Sequence, residues 1–147
     1  QPYQAGDWMT AQAMIDLVGK YPNVILWLSG HDHGNRVLPH ARPDGSNWYE
    51  VKTSSLLDAP QQARILTISW DEGTGRVPGT VPGSTPQTVR VSGRLLSPDF
   101  SASPLAARAH RLALETAAAR GEHNEGTAAD REFDLEIPVS FRAGEVR

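Results

Sequence analysis

Val24-Ile25-Leu26-Trp27-Leu28-Ser29-Gly30-His31-Asp32-His33-Gly34-Asn35 decides the reading of this chain, because an apolar run empties abruptly into a polar turn with two histidines one residue apart. The run is too short for a membrane span and too rich in β-branched and aromatic residues for an easy helix. It predicts a strand, Val24 to Leu28, buried on both faces. Gly30 lets the backbone turn at the mouth of that strand. In an extended backbone His31 and His33, at i and i+2, share a face, so two imidazoles can converge on a metal ion or a close pair of ions.

Working outward, Asp7 or Thr10 can cap a helix within Gln1 to Lys20, in which Met14, Leu17, Val18 and Tyr21 recur at helical spacing before Gly19 and Pro22 stop it. A helix, a Tyr21-Pro22-Asn23 turn and a buried strand form the second half of an α/β crossover. Arg36-Val37-Leu38 reads as a short strand ending at Pro39, and His40 to Asn47 as a surface loop. Trp48 to Ser54 alternates with period two, and Ala63 to Trp70 carries Ile65, Leu66, Ile68 and Trp70. These two strands are expected to pair antiparallel and to extend or flank the sheet that carries the histidines, with Asp71 to Gly75 as the closing turn.

The chain then changes character. Arg76 to Ser103 holds Pro78, Pro82, Pro86 and Pro98, a density that removes ladder donors and blocks helix, so it predicts an irregular linker with one strand at Thr88 to Val91. Pro104 to Arg120 predicts a helix, with Pro104 in its first turn, Gly121 beyond its end, and Leu105, Ala109, Leu112, Ala113 and Thr116 on one side. Arg131 to Val139 alternates as a last half-buried strand. The division expected is therefore 1–75, a linker at 76–103, and a helix plus terminal strand at 104–147.

Composition narrows the chemistry. The 147 residues are 39% hydrophobic, as in an ordinary globular domain, and no apolar run approaches membrane-spanning length. A net charge of -3 gives no electrostatic case for a nucleic-acid partner. Zero cysteines exclude disulfides and thiolate sites, which leaves imidazole and carboxylate as the strong metal ligands.

Gly30-His31-Asp32-His33 resembles the Gly-His-x-His motif that closes the active site of calcineurin-like metallophosphoesterases. Glu50 to Ser55, followed by Asp58-Ala59-Pro60-Gln61-Gln62-Ala63-Arg64, is similar to a segment downstream of that motif in a bacterial, largely actinobacterial, branch. The resemblance covers about the first half of the chain, as far as Trp70. It implies the C-terminal part of a four-layer α/β/β/α sandwich, a mixed sheet with flanking helices. It further implies hydrolysis of a small-molecule phosphoester at a centre of two divalent or trivalent ions (Mn, Fe or Zn), with His31 and His33 as metal ligands and no catalytic residue beyond such ligands. The family's earlier motifs, Asp-x-His, Gly-Asp-x-x-Asp and Gly-Asn-His, do not occur here, and Gly6-Asp7 is followed by Trp8-Met9-Thr10 with no second Asp in place. The partner expected is the upstream part of the same polypeptide, carrying the missing ligands. The alternative is a truncated or degenerate, non-catalytic remnant.

Two other His-x-His chemistries fail on the residues. A metallo-β-lactamase pattern needs Asp and His where Asn35 and Arg36 stand, and too few residues follow His33 for an amidohydrolase barrel of about 250 residues. Around the motif, Asp32 is expected to be structural or solvent-facing, Asn35 to hydrogen-bond the turn, and His31 and His33 each to be held through the second ring nitrogen by a backbone carbonyl of the neighbouring turn. Asp58 and Arg64 are expected to pair and pin a turn, with Gln62 beside them in the same segment. His40 is read as peripheral to any substrate and His110 as a surface residue. Substrate-binding residues are not assigned.

Overall fold

Thr10 starts the first helix: its backbone is extended, and its hydroxyl accepts the Ala13 amide at 3.1 Å, satisfying one of the donors a helix start leaves open. A computed structural model describes residues 9–70 and 87–139; Asp7, the other expected cap, lies outside them. Helix α1 (Ala11–Gly19) buries Val18 and leads into strand β1 (Leu26–Ser29). Strand β1 is parallel to β3 (Asn47–Lys52), which pairs antiparallel with β2 (Arg36–Ala41), giving a mixed sheet of order β1-β3-β2.

This arrangement corrects the expectation of a strand buried on both faces. Strand β1 is an edge of the described sheet, and Leu28 is 60% exposed and Trp27 39% exposed, while Ile25 and Leu26 pack on the core. The expected stop at Pro39 also fails. Strand β2 is the opposite edge, where a missing ladder donor is tolerated, so the strand runs through Pro39 to Ala41 and turns back by a bond from the Arg42 amide to the Ser46 carbonyl at 2.8 Å.

The second sheet holds β4 (Ala63–Trp70), β5 (Gln87–Leu96) and β6 (Glu132–Val139), all antiparallel, in the order β4-β5-β6. Strand β4 does not pair with β3, contrary to expectation, because both edges of β3 are already taken by β1 and β2. The strand expected at Thr88 to Val91 within the linker is present but longer, a ten-residue strand in the centre of this sheet. Gly93 opposes Leu66 and Phe133 in the ladders, and a Cβ there would run into the Phe133 ring, so this glycine admits an aromatic neighbour rather than breaking the strand. The expected turn at 71–75 and the stretch 76–86 lie outside the described residues.

Helix α2 (Pro104–Arg120) has the predicted bounds, with Ser103 accepting the Ala106 amide at 3.1 Å and Gly121 at φ 67 closing the C-terminus. Its expected apolar side does not face a core. No α2 residue is buried, and Leu105 is 77% exposed. The last strand, expected from Arg131, starts at Glu132 because a single turn, α3 (Ala128–Arg131), precedes it.

Val51 of β3 packs with Val89 and Val91 of β5 and with Phe133, Ile137 and Val139 of β6. The architecture is thus mixed α/β, two small sheets sharing one apolar core with helices at its margin. Each such side chain, fully buried, contributes about 1.5–3 kcal/mol. Among the described residues no helix is long and apolar enough to cross a membrane.

Candidate metal centre

The chain leaves β1 at Ser29 and enters β2 at Arg36, and the turn between them is not extended as expected. His31 has φ 79 and His33 φ 55, both in the left-handed region, whereas Gly30 does not take a positive φ. The Asp32 amide bonds back to the Gly30 carbonyl at 3.1 Å, so His31 is the centre of a γ-turn of the rare positive-φ kind. Side chains on such a backbone do not project with strand periodicity. The shared face inferred from i and i+2 spacing therefore lacks its basis, and His31 is exposed.

Neighbouring elements hold this shape. Lys52, at the end of β3, places its ammonium 2.7 Å from Asp32 and 4.0 Å from Glu50, whose carboxylate also accepts the Ser29 hydroxyl at 2.7 Å. Partial burial pushes the Asp32 carboxyl up, but the bond and charge of Lys52, with backbone amides, outweigh it and hold the carboxyl below its ordinary value of 3.8. Asn35 is fully buried and, where a bond within the turn was expected, it ties the turn to other segments instead. Its Nδ2 donates to Gln62 Oε1 at 2.9 Å, its Oδ1 accepts the Ser54 amide at 3.1 Å, and its own amide donates to the Asn124 carbonyl at 2.9 Å.

His33 Nδ1 stands 2.9 Å from Asp58 Oδ2. The partner is thus a carboxylate, not the backbone carbonyl expected, and Asp58 does not pair with Arg64. Instead the Arg64 guanidinium donates to the Asp130 carbonyl at 2.7 Å and lies 5.3 Å from the Phe133 ring centre. Neutral His33 that donates from Nδ1 keeps the lone pair on Nε2, the orientation a carboxylate imposes on metal-binding imidazoles. Asp58 itself is fixed by its turn: the Gln61 amide donates to its carbonyl at 2.8 Å and Ser55 Oγ accepts its amide at 3.3 Å. Gln61, at φ 56, bonds His110 Nδ1 at 2.7 Å, and His110 stacks on Phe100 with ring centres 3.8 Å apart. His110 therefore braces this turn from α2. His40 stacks on Trp48 at 4.2 Å, with Nε2 3.4 Å from Glu50.

Among the described residues no three His, Asp or Glu side chains come together as a metal-binding group. What fits a metal is one imidazole with its second nitrogen anchored, and a second, exposed imidazole two residues earlier. Asp58 was missed as the His33 partner because the pairing depends on the fold of the 55–62 turn. The residue 122–127 loop, which abuts Gly34 and Asn35, was missed because nothing local in the sequence links it to the motif. No protein-family model, curated protein or solved structure matches the chain.

Proposed function

We propose that this chain is the C-terminal part of a metal-dependent phosphoester hydrolase of the calcineurin-like metallophosphoesterase type, within a four-layer α/β/β/α sandwich, and that His31 and His33 are its last metal ligands. The observation that carries the reading is the His33–Asp58 pair at 2.9 Å, which leaves Nε2 as a ligand directed by a carboxylate. Two non-glycine residues in left-handed backbone within one turn add to it, since such strain concentrates at functional sites. Bound Mn, Fe or Zn would supply charge to clamp phosphate oxygens and a water ionised near neutral pH. The residues of this chain do the orienting. Asp58 keeps the His33 proton at Nδ1, Lys52 and Asn35 fix the turn, and the remaining ligands come from polypeptide preceding Gln1. Two imidazoles without bridging carboxylates do not hold two cations against their repulsion. A non-catalytic remnant is the second reading; both readings place only two ligands on this chain, and turnover by the longer polypeptide separates them.

The test is metal titration after chelation, followed by release of nitrophenol from an aryl phosphate. The 147-residue chain should bind at most one Zn or Mn ion weakly, lose that binding at least tenfold in His31→Ala and in His33→Ala, and show no turnover. With its upstream segment it should hydrolyse the ester in a metal-dependent way, and either substitution should abolish most of that activity. Unchanged metal affinity and activity in both variants would refute the reading, and absent turnover in the longer chain would favour the remnant.

A further inference from the structure

A cleft of about 630 Å³ opens between the C-terminal half of α2, the 122–127 loop and the Ala59-Pro60 turn, a size suited to a small organic group. Its floor is apolar: Ala59, Pro60, Leu114, Ala117 and Ala118. Charge in its lining is mixed, with Arg36, Glu122 and Glu125, and Arg120 stands 3.7 Å from Glu122. Such a surface favours an uncharged ring over a phosphate.

Its walls are also the supports of the histidine turn. Ala59 directly follows Asp58, the residue that orients His33. Asn124 accepts the Asn35 amide through its carbonyl, and its side-chain oxygen lies 3.7 Å from where a Cβ on Gly34 would sit. Gly126, at φ 71, holds the loop so close that a Cβ there would lie 2.5 Å from the Asn35 carbonyl oxygen. Cleft and turn are therefore neighbours that share two segments, the turn through Asp58, Ala59 and Pro60 and the 122–127 loop.

We propose that this cleft binds the organic group of the phosphoester, an apolar group of aromatic size, while the phosphate faces the His31-Asp32-His33 turn. This deepens the hydrolase reading and rests on it. The experiment follows backbone amides of the full 147-residue chain in excess Zn by two-dimensional NMR, with 2-naphthol, 2-naphthyl phosphate and inorganic phosphate as the added compounds. 2-Naphthol should move Ala59, Leu114, Ala117, Ala118 and Gly126, and 2-naphthyl phosphate should move these together with the 31–35 amides. Inorganic phosphate should leave the cleft amides in place. Ala118→Trp, on an exposed helix position, should weaken 2-naphthol at least tenfold with helix content unchanged, and Leu114→Gln should weaken it severalfold. Equal 2-naphthol affinity in both variants, or shifts centred on the exposed Leu56 and Leu57, would overturn the assignment. So would a naphthyl phosphate response confined to the cleft. The metal reading fails separately, through unchanged metal affinity in His33→Ala, a variant in which 2-naphthol should still bind the cleft as in the parent.

Discussion

His31 and His33 each occupy backbone that L-residues avoid, at a cost of about 1–3 kcal/mol apiece, and such conformations persist where surrounding bonds over-determine them. Here the bonds are the Lys52–Asp32 pair and those of Asn35 to Gln62, Ser54 and Asn124. Asp58 differs from these: its side chain is about half exposed, and its contact is with the ring of His33. Removing it should therefore alter ligation far more than stability. Asp58→Ala is expected to weaken Zn binding by about 10–100-fold, the usual effect of losing a carboxylate that orients a ligating histidine. Its urea midpoint should stay close to that of the parent. Asp58→Asn, which still accepts from Nδ1, should fall between the two; equal Zn affinity in all three proteins would remove Asp58 from the site. The sequence displayed the two histidines plainly, yet it concealed their geometry. Spacing arguments assume a strand, and positive φ falls on His31 rather than on the neighbouring Gly30, whose freedom marks such a turn in sequence.

At the scale of elements, one carboxylate joins helix α3 to the edge of the first sheet. Asp130 accepts the Val37 amide at 2.7 Å with one oxygen, and with the other the Thr127 amide at 2.9 Å and hydroxyl at 2.7 Å, completing a capping box. Burial pushes this carboxyl up, but those bonds, with the positive charge of Arg36, outweigh it and hold it below 3.8. A group whose folded value is depressed stabilises fully above its unfolded value, and that contribution disappears as pH falls through the folded value. Asp130→Asn should thus lower stability at neutral pH by about 1.5–3 kcal/mol, in line with hydrogen bonds to a charged group. The difference from the parent should shrink progressively below 3.8, read as urea midpoints across that range. A difference constant through the acid range would show that the charge of Asp130 does not matter. The sequence revealed most elements where local chemistry dominates: Ser103-Pro104 and Gly121 bracket α2, and alternation marks β4 and β6. It showed only the Thr88 to Val91 part of β5, because prolines and glycines nearby outweighed the alternation that continues through Arg94 and Leu95. Sheet membership was hidden as well, since pairing depends on which edges of β3 remain open.

At the scale of the molecule, the two sheets are halves of one core. Val51 contributes from the first sheet and Val89, Val91, Phe133, Ile137 and Val139 from the second, so neither face is closed without the other. The three segments expected from composition all contribute to the molecule's interior: Val51 lies in the first, Val89 and Val91 in the second, and the β6 residues in the third. A cavity made on one sheet should accordingly be felt on both. Ile137 is 2% exposed, and Ile137→Ala should cost about 2–5 kcal/mol, a large share of the roughly 5–15 kcal/mol that holds a domain folded. Hydrogen exchange gives the measurement, because strongly protected amides open with the global unfolding of the unit they belong to. The Val51 amide on β3 and the Val91 amide on β5 should lose the same protection free energy in Ile137→Ala, although the substitution lies on β6. If Val91 alone loses protection while Val51 keeps its parental value, the sheets unfold separately and the shared core does not couple them. In that case the histidine turn, carried on the first sheet, would also keep its metal affinity in Ile137→Ala under conditions where β6 has opened.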